Sequence, residues 1–348
     1  MKSIVVLVLF AAACDTGSTD KVGGSDTSEV SCDRIHGARG ILIIDGDVTH
    51  FPTEQPDEFV ATTSVAGPLS DGGYVSVAGG ELFTSADDGC NWEEPGSRLP
   101  GTGDWDLVAA GNTIYAFDRA SSSTATSTDG ALSWVATDAG EPFLGEVAFD
   151  AAVPGTLRGV QPRGAVTSLD FGATWTVNAT PPPAPLTAGA VFGGDLSAVV
   201  ATHSGGVLRS NTGGTSWDEI GVQLFADGFV GQRIIFSTDS ADTIWVSGIE
   251  DGDTTVIYRT IDGGGRWDDV MSSKGYDLDE DAPLWAVPDL QNGAISAWGS
   301  TQDNYGINVY EIVAGENVHT THTSAYYNVH DVVVRDDGSL LVAVDGLK

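Results

Sequence analysis

Residues 167–175 read TSLDFGATW, and the last eight of them are one copy of a unit that recurs along the chain. The other copies are SADDGCNW ending at Trp92, STDGALSW at Trp134, SNTGGTSW at Trp217 and TIDGGGRW at Trp267. Together they define the template Ser/Thr-x-Asp-x-Gly-x-x-Trp, with successive tryptophans 42, 41, 42 and 50 residues apart. A repeat of roughly 40–50 residues matches a small four-stranded unit, and its recurrence is the sequence mark of a β-propeller.

Each copy is suited to a tight turn. The assigned positions are Ser85, Asp87, Gly89 and Trp92; Ser127, Asp129 and Trp134; Ser168, Asp170, Gly172 and Trp175; Ser210, Gly214 and Trp217; and Thr260, Asp262, Gly264 and Trp267. The aspartate accepts hydrogen bonds from backbone a few residues on, and the hydroxyl does so more weakly. The glycine supplies a positive φ that a side chain resists. The tryptophan re-enters the next strand and covers apolar surface. The copies decay: Ala131 stands at the glycine position of the second, and Thr212 replaces the aspartate of the fourth. A turn absorbs such losses singly, whereas a repeated catalytic group would not, so the units are structural.

The five copies resemble the Asp-box, or BNR, repeats of sialidase-type propellers, found also in sortilin-type receptors, certain glycosidases and a photosystem assembly factor. The resemblance covers about residues 60–270 and implies the fold. Enzymes and non-enzymes share the box, so it says little about activity. A sialidase would also carry an arginine triad, an acid/base aspartate, a tyrosine–glutamate nucleophile and an Arg-Ile-Pro motif. Here Arg34-Ile35 is followed by His36, and the other two arginines and the Tyr–Glu pair have no counterpart. No catalytic residues are therefore assigned.

The first residues, MKSIVVLVLFAAAC, read as an export signal, because the apolar run is far short of the roughly 18–20 residues that cross a bilayer. Ala11-Ala12-Ala13-Cys14 resembles the bacterial lipobox, with Ala11 where leucine is commoner. That resemblance implies a signal over residues 1–13 and a lipid on Cys14; ordinary cleavage with a free Cys14 is the alternative. Residues 14–32 are small, polar and acidic and read as a disordered tether. Residues 33–348 are expected to form one propeller.

Short runs rich in Val, Ile, Phe and Tyr, separated by Gly and Asp turns, precede each box and predict antiparallel strands. Five boxed blades are followed by a sixth built from PLWAV, AISAWG and INVYEIV. GARGILIIDGDVTHF near the start and HDVVVRDDGSLLVAVDG at the end supply two strands each. Joined, they complete a seventh blade and close the ring, which removes exposed sheet edges. The fold class is thus all-β, a propeller of seven four-stranded antiparallel blades, with six or eight as alternatives.

With Cys14 assigned to lipid, Cys32 and Cys90 remain, an even pair in an exported chain. A disulfide is expected, against two buried thiols. The formal charge is −34, from 49 acidic and 15 basic residues. Such a surface repels nucleic acid and anionic lipid head groups, so contact with a membrane runs through the lipid alone. Asp277, Asp279 and Asp281 offer oxygen ligands to calcium, but without the glycine and terminal glutamate of a helix-loop-helix site they read as a solvated loop. No cofactor is assigned. His319 and His322 lack a third zinc ligand nearby.

The loops joining second to third strands should open on the face opposite the boxes. They should carry Arg119, Arg163, His203, Glu250, Asp303 and Tyr305, whose two arginines and histidine would make a positive spot for a carboxylate-bearing partner. The expected function is a monomeric, non-enzymatic, lipid-anchored propeller outside the cytoplasm, in a bacterial cell envelope, binding a protein or glycan. The alternative is a glycoside hydrolase or lyase using two carboxylates across a central pocket.

Overall fold

The alternation of apolar and small polar residues resolves into 27 strands in the computed structural model, with no α-helix among the described residues. Those are residues 32–348 apart from 33, 38–39, 46–47, 51–61, 102, 151, 179, 222–223, 225–228, 238, 251–253, 273–283, 287–293, 300–303, 314–315, 326–328, 336 and 345–348. The signal, Cys14, the tether up to residue 31, Asp277, Asp279, Asp281 and Asp303 lie outside them.

The two chain ends share one sheet, ordered β2 (Val48–His50), β1 (Ile41–Asp45), β27 (Leu340–Val344), β26 (Val329–Val334). Ile41 to Ile44 pair antiparallel with Ala343 to Leu340, and this run is buried on both faces, as its unbroken apolar sequence requires. β3 (Thr62–Ala66), β4 (Tyr74–Ala78) and β5 (Glu81–Ser85) form a three-stranded sheet. Then come four-stranded sheets in chain order. The first is β6 (Trp105–Ala110), β7 (Thr113–Asp118), β8 (Ser123–Ser127) and β9 (Val135–Asp138). The second is β10 (Ala148–Phe149), β11 (Leu157–Gln161), β12 (Gly164–Ser168) and β13 (Thr176–Val177). The third is β14 (Leu186–Val191), β15 (Val199–His203), β16 (Gly206–Ser210) and β17 (Asp218–Glu219). The fourth is β18 (Val230–Ser237), β19 (Ser240–Glu250), β20 (Thr254–Thr260) and β21 (Asp268–Ser272). The last is β22 (Leu284–Ala286), β23 (Ala294–Gly299), β24 (Asn304–Val313) and β25 (Glu316–Ala325).

The chain is therefore an all-β propeller with four-stranded antiparallel blades. The expected seven such blades are corrected to six, beside the three-stranded sheet. In that sheet the fourth strand shrinks to one bridge, Thr84 to Glu93. Pro95 follows two residues later; it has no amide to donate and holds Glu94 out of helical geometry, so the ladder stops there. Inner strands neighbour one another from sheet to sheet, β26 beside β3, β3 beside β6, β14 beside β18 and β18 beside β22.

The repeated turns lie between third and fourth strands. The Ser168 hydroxyl donates to Asp170 Oδ1 at 2.8 Å and accepts the Gly172 amide at 2.8 Å. Asp170 in turn accepts the Thr174 amide at 2.8 Å and its hydroxyl at 2.7 Å. The same bonds recur from Ser85, Ser127 and Thr260. Where Thr212 replaces aspartate, its Oγ1 takes the Ser216 amide at 3.0 Å, so the turn survives with a weaker acceptor.

Two successive residues are left-handed in every copy: Asp88–Gly89, Gly130–Ala131, Phe171–Gly172, Gly213–Gly214 and Gly263–Gly264. The second also touches the preceding blade. A Cβ on Gly172 would enter the ring of Tyr115 on β7, and one on Gly264 would lie 2.5 Å from Ile220 Cβ. Trp175 packs alongside, its ring 4.9 Å from Phe143 and 5.7 Å from Tyr115. Each turn thus clamps its blade onto the one before.

Cys32 and Cys90 stand in a disulfide, with Cα atoms 5.5 Å apart and a sequence separation of 58. The His36 amide donates to Cys90 O and the Trp92 amide to His36 O, both at 2.8 Å, so the segment before β1 is stitched onto the first box. Cys32 is buried in this core and belongs with the folded unit, one residue earlier than the expected boundary.

Candidate functional site

Strand alternation decides what faces the centre. Along β6 Trp105 and Leu107 are buried in the sheet while Asp106 and Val108 are partly exposed, so the carboxylate points inward. Four inner strands also carry register shifts, between Thr62 and Ser64, Leu186 and Ala188, Gly231 and Arg233, and Val329 and Asp331. A bulge bends its strand and re-aims a side chain. Thr187, Gln232, Arg233 and Asp331, at or beside these shifts, line the central cavities.

Two adjoining cavities, of about 210 and 470 Å³, share Asp106, Phe117, Arg119, Glu146 and Arg233 in their walls. They form one polar funnel. Arg119, one residue past the end of β7, donates from Nε to Asp106 Oδ2 at 2.6 Å and makes a second contact from Nη2 to Oδ1. Burial opposes its charge, but the Asp106 carboxylate outweighs this and holds the guanidinium above its ordinary pKa. Arg233 Nη2 donates to Glu146 Oε1 at 3.0 Å, joining β18 to the segment before β10 and passing over the β14 sheet between them.

Asp331 is placed differently. Its Oδ2 accepts the Ser64 hydroxyl at 2.6 Å and the Val65 amide at 3.0 Å, and its Oδ1 accepts the Val332 amide at 2.9 Å. Ser64 Oγ in turn accepts the Leu107 amide at 3.0 Å. One polar chain therefore ties β6, β3 and β26, the inner strands of three successive sheets. The carboxyl keeps some surface open to the funnel but is surrounded by protein. Loss of water pushes its pKa up to about 7; the Asp106 charge adds to this, the Ser64 and Val65 bonds oppose it, and Glu146 adds more weakly.

Of the residues expected to form a ligand face, Arg119 alone lines this funnel among those whose side chains are described. Arg163 pairs with Glu141 at 2.7 Å and is largely exposed. His203 lies 3.8 Å from Glu219 of its own sheet, and Glu250 accepts the Tyr258 hydroxyl within its own sheet. Tyr305 is on β24, and Asp303 lies outside the described residues. Each of the three expected cations thus stands beside an acid, Arg119 by Asp106, Arg163 by Glu141 and His203 by Glu219. Asp106, Glu146, Arg233 and Asp331 were not singled out from sequence. Among the described residues no group of three or more His, Cys, Asp or Glu side chains is arranged to hold a metal ion.

The sequence matches no family model and no curated protein. Solved structures share the fold. YCF48 from Cyanidioschyzon merolae superposes with a TM-score of 0.58 at 15% identity, over 84% of this chain and 96% of that one. YCF48 bound to D1 peptide gives 0.55 at 14% identity, over 84% and 95%. The GH74 xyloglucanase from Xanthomonas campestris gives 0.57 at 15% identity, over 82% of this chain and 51% of that one. The chain thus spans about half the length of the xyloglucanase. At such identities the likeness is one of fold, and on it the chain is a β-propeller similar to a peptide-bound protein and to a glycoside hydrolase alike.

Proposed function

We propose that this chain is a non-enzymatic propeller of the Asp-box type that binds a protein partner at the central funnel. The terminal strands close its ring, and a lipid on Cys14 tethers it outside the cytoplasm, in a bacterial envelope. The observation that carries the reading is the state of the funnel carboxylates. Asp106 is held in a two-point pair by Arg119, Glu146 is held by Arg233, and Asp331 is engaged by three neutral donors. A hydrolase needs one carboxylate free to attack or to activate water opposite its acid. The alternative enzyme would use Asp331, whose pKa suits a general acid, with Asp106 as its partner. The Arg119 pair works against it, because a carboxylate locked to a guanidinium on both oxygens is a poor base. The peptide bound to YCF48, in a propeller of the same extent, is in keeping with a protein partner.

The test is site-specific photo-crosslinking in cells. A photoreactive residue at Thr187, in the funnel wall, should give a discrete protein adduct, and one at the exposed Leu132 on the box side should not. Adducts at Leu132 alone would move the functional surface. Release of reducing sugar from a polysaccharide, lost in both Asp106→Asn and Asp331→Asn, would replace the reading by the hydrolase. Mass spectrometry of the membrane fraction should find the acylated N-terminus at Cys14, and a mature chain starting elsewhere would remove the anchor.

A further inference from the structure

We propose that the funnel receives a cationic group of its partner, a lysine ammonium or a chain N-terminus, against the carboxylate of Asp331. This rests on the reading of the funnel as a partner site and gives that partner its chemistry. The walls hold three carboxylates, Asp106, Glu146 and Asp331, against two guanidiniums, Arg119 and Arg233. Both guanidiniums are paired, with Asp106 and with Glu146. The hydrogen-bond donors to Asp331 are a hydroxyl and two amides, none of them charged, so its carboxylate is the acid of the set with no cation bonded to it; Arg119, which feels its charge, is tied to Asp106. Val65, Val108, Val333 and Phe117 complete the smaller cavity of about 210 Å³. Such a space admits one side chain, and those walls suit the methylene stem of a lysine with its charged end at the floor. The chain's charge of −34 draws cations toward that floor. A carboxylate ligand would instead have to displace Asp106 from Arg119 and would meet Asp331 beyond it.

Binding is coupled to a proton. A cation favours ionised Asp331, so the proton that the buried carboxyl holds near neutral pH passes to the buffer as the complex forms. The charged groups that face this carboxyl are Asp106 on β6, Arg119 after β7, Glu146 before β10 and Arg233 on β18; β3 faces it with Ser64 and Val65, which do not titrate. With half-ionisation near 7, the affinity should fall about tenfold from pH 8 to pH 6.

The experiment is calorimetric or NMR titration with acetyl-Gly-Gly-Lys-Gly-Gly-amide and its norleucine and glutamate analogues. The lysine peptide should bind at least tenfold more tightly than either analogue, with the pH dependence above. Asp331→Asn should abolish the preference. Arg233→Gln should strengthen it severalfold, because it leaves Glu146 without its counter-charge. The proposal is overturned if the glutamate peptide binds as well as the lysine peptide, if no peptide binds, or if Asp331→Asn leaves the preference intact. The norleucine comparison needs no variant, so a folding defect in Asp331→Asn leaves the proposal exposed to refutation. A crosslinked partner at Thr187 without lysine preference sinks this inference alone; absence of any funnel adduct sinks the reading beneath it.

Discussion

Replacing Gly172 by alanine separates the two demands that each repeated turn makes on its glycine. The first is conformational: φ at Gly172 is +83°, and a left-handed non-glycine residue costs about 1–2 kcal/mol. The second is spatial. The added methyl would penetrate the ring of Tyr115, with Cδ2 at 2.8 Å as well, and Tyr115 is wholly buried beside Phe117, Phe143 and Trp175. Overpacking of a close-packed site costs about 1–3 kcal/mol. Together these give about 2–5 kcal/mol, or a fall in Tm of about 4–10 °C for a domain of this size. Gly130→Ala is the matched control, because φ there is +70° and a Cβ meets nothing within 4 Å. It should fall by about 2–4 °C, the backbone part alone. Ala131, left-handed at +72° in the native chain, shows that this part is tolerated. Scanning calorimetry of both variants checks the argument. Equal shifts would refute it, because blade-to-blade contact would then contribute nothing at this position.

Thr212→Asp should raise Tm by about 1–3 °C, since a carboxylate is a stronger acceptor than a hydroxyl for the Ser216 amide, and a fall would show that this turn is built differently from the others. Cys90→Ser should cost about 2–4 kcal/mol through the loop it opens, and alkylation under non-reducing conditions should find neither Cys32 nor Cys90 reactive. Asp129, Asp170 and Asp262 are held below the ordinary carboxylate value by hydrogen bonds from neighbouring hydroxyls and amides. Their contribution is therefore complete above about pH 4 and lost as pH falls through their folded values. Asp331 has the opposite sign: the folded chain keeps a proton that the unfolded chain releases, so stability declines as pH rises from about 4 to 7. Melting curves against pH should show both limbs, and Asp331→Asn should flatten the upper one alone.

The box turns were legible because their determinants sit within eight residues. Ser168 bonds to residues 170 and 172, and Asp170 to residue 174, so the spacing of letters is the geometry itself. Blade number was less legible, for a reason equally local in sequence but not in effect. The strand after the first box carries apolar and acidic residues like the others, and Pro95 limits it to a single bridge. The first left-handed position of each pair carries no sequence signal, because Asp88, Phe171 and three glycines share no side-chain chemistry there. What they share is a backbone conformation that the rest of the turn imposes.

The funnel was hidden by a different mechanism. Its charged residues come from three inner strands and two connecting segments, and their convergence depends on how sheets neighbour one another around the centre. Two of them, Arg233 and Asp331, face inward beside register shifts that no alternation pattern predicts. A bulge moves every later side chain of the strand to the other face, so a strict period of two assigns such residues wrongly. The bonds that fix Asp331 run from Leu107 through Ser64, across separations of 43 and 267 residues. Those same bonds make the site dependent on the terminal sheet. If the sheet formed by the two chain ends shifts, Asp331 moves away from Ser64 and Val65 and the floor of the funnel is lost with it. Binding at the funnel and integrity of the terminal sheet should therefore be lost together.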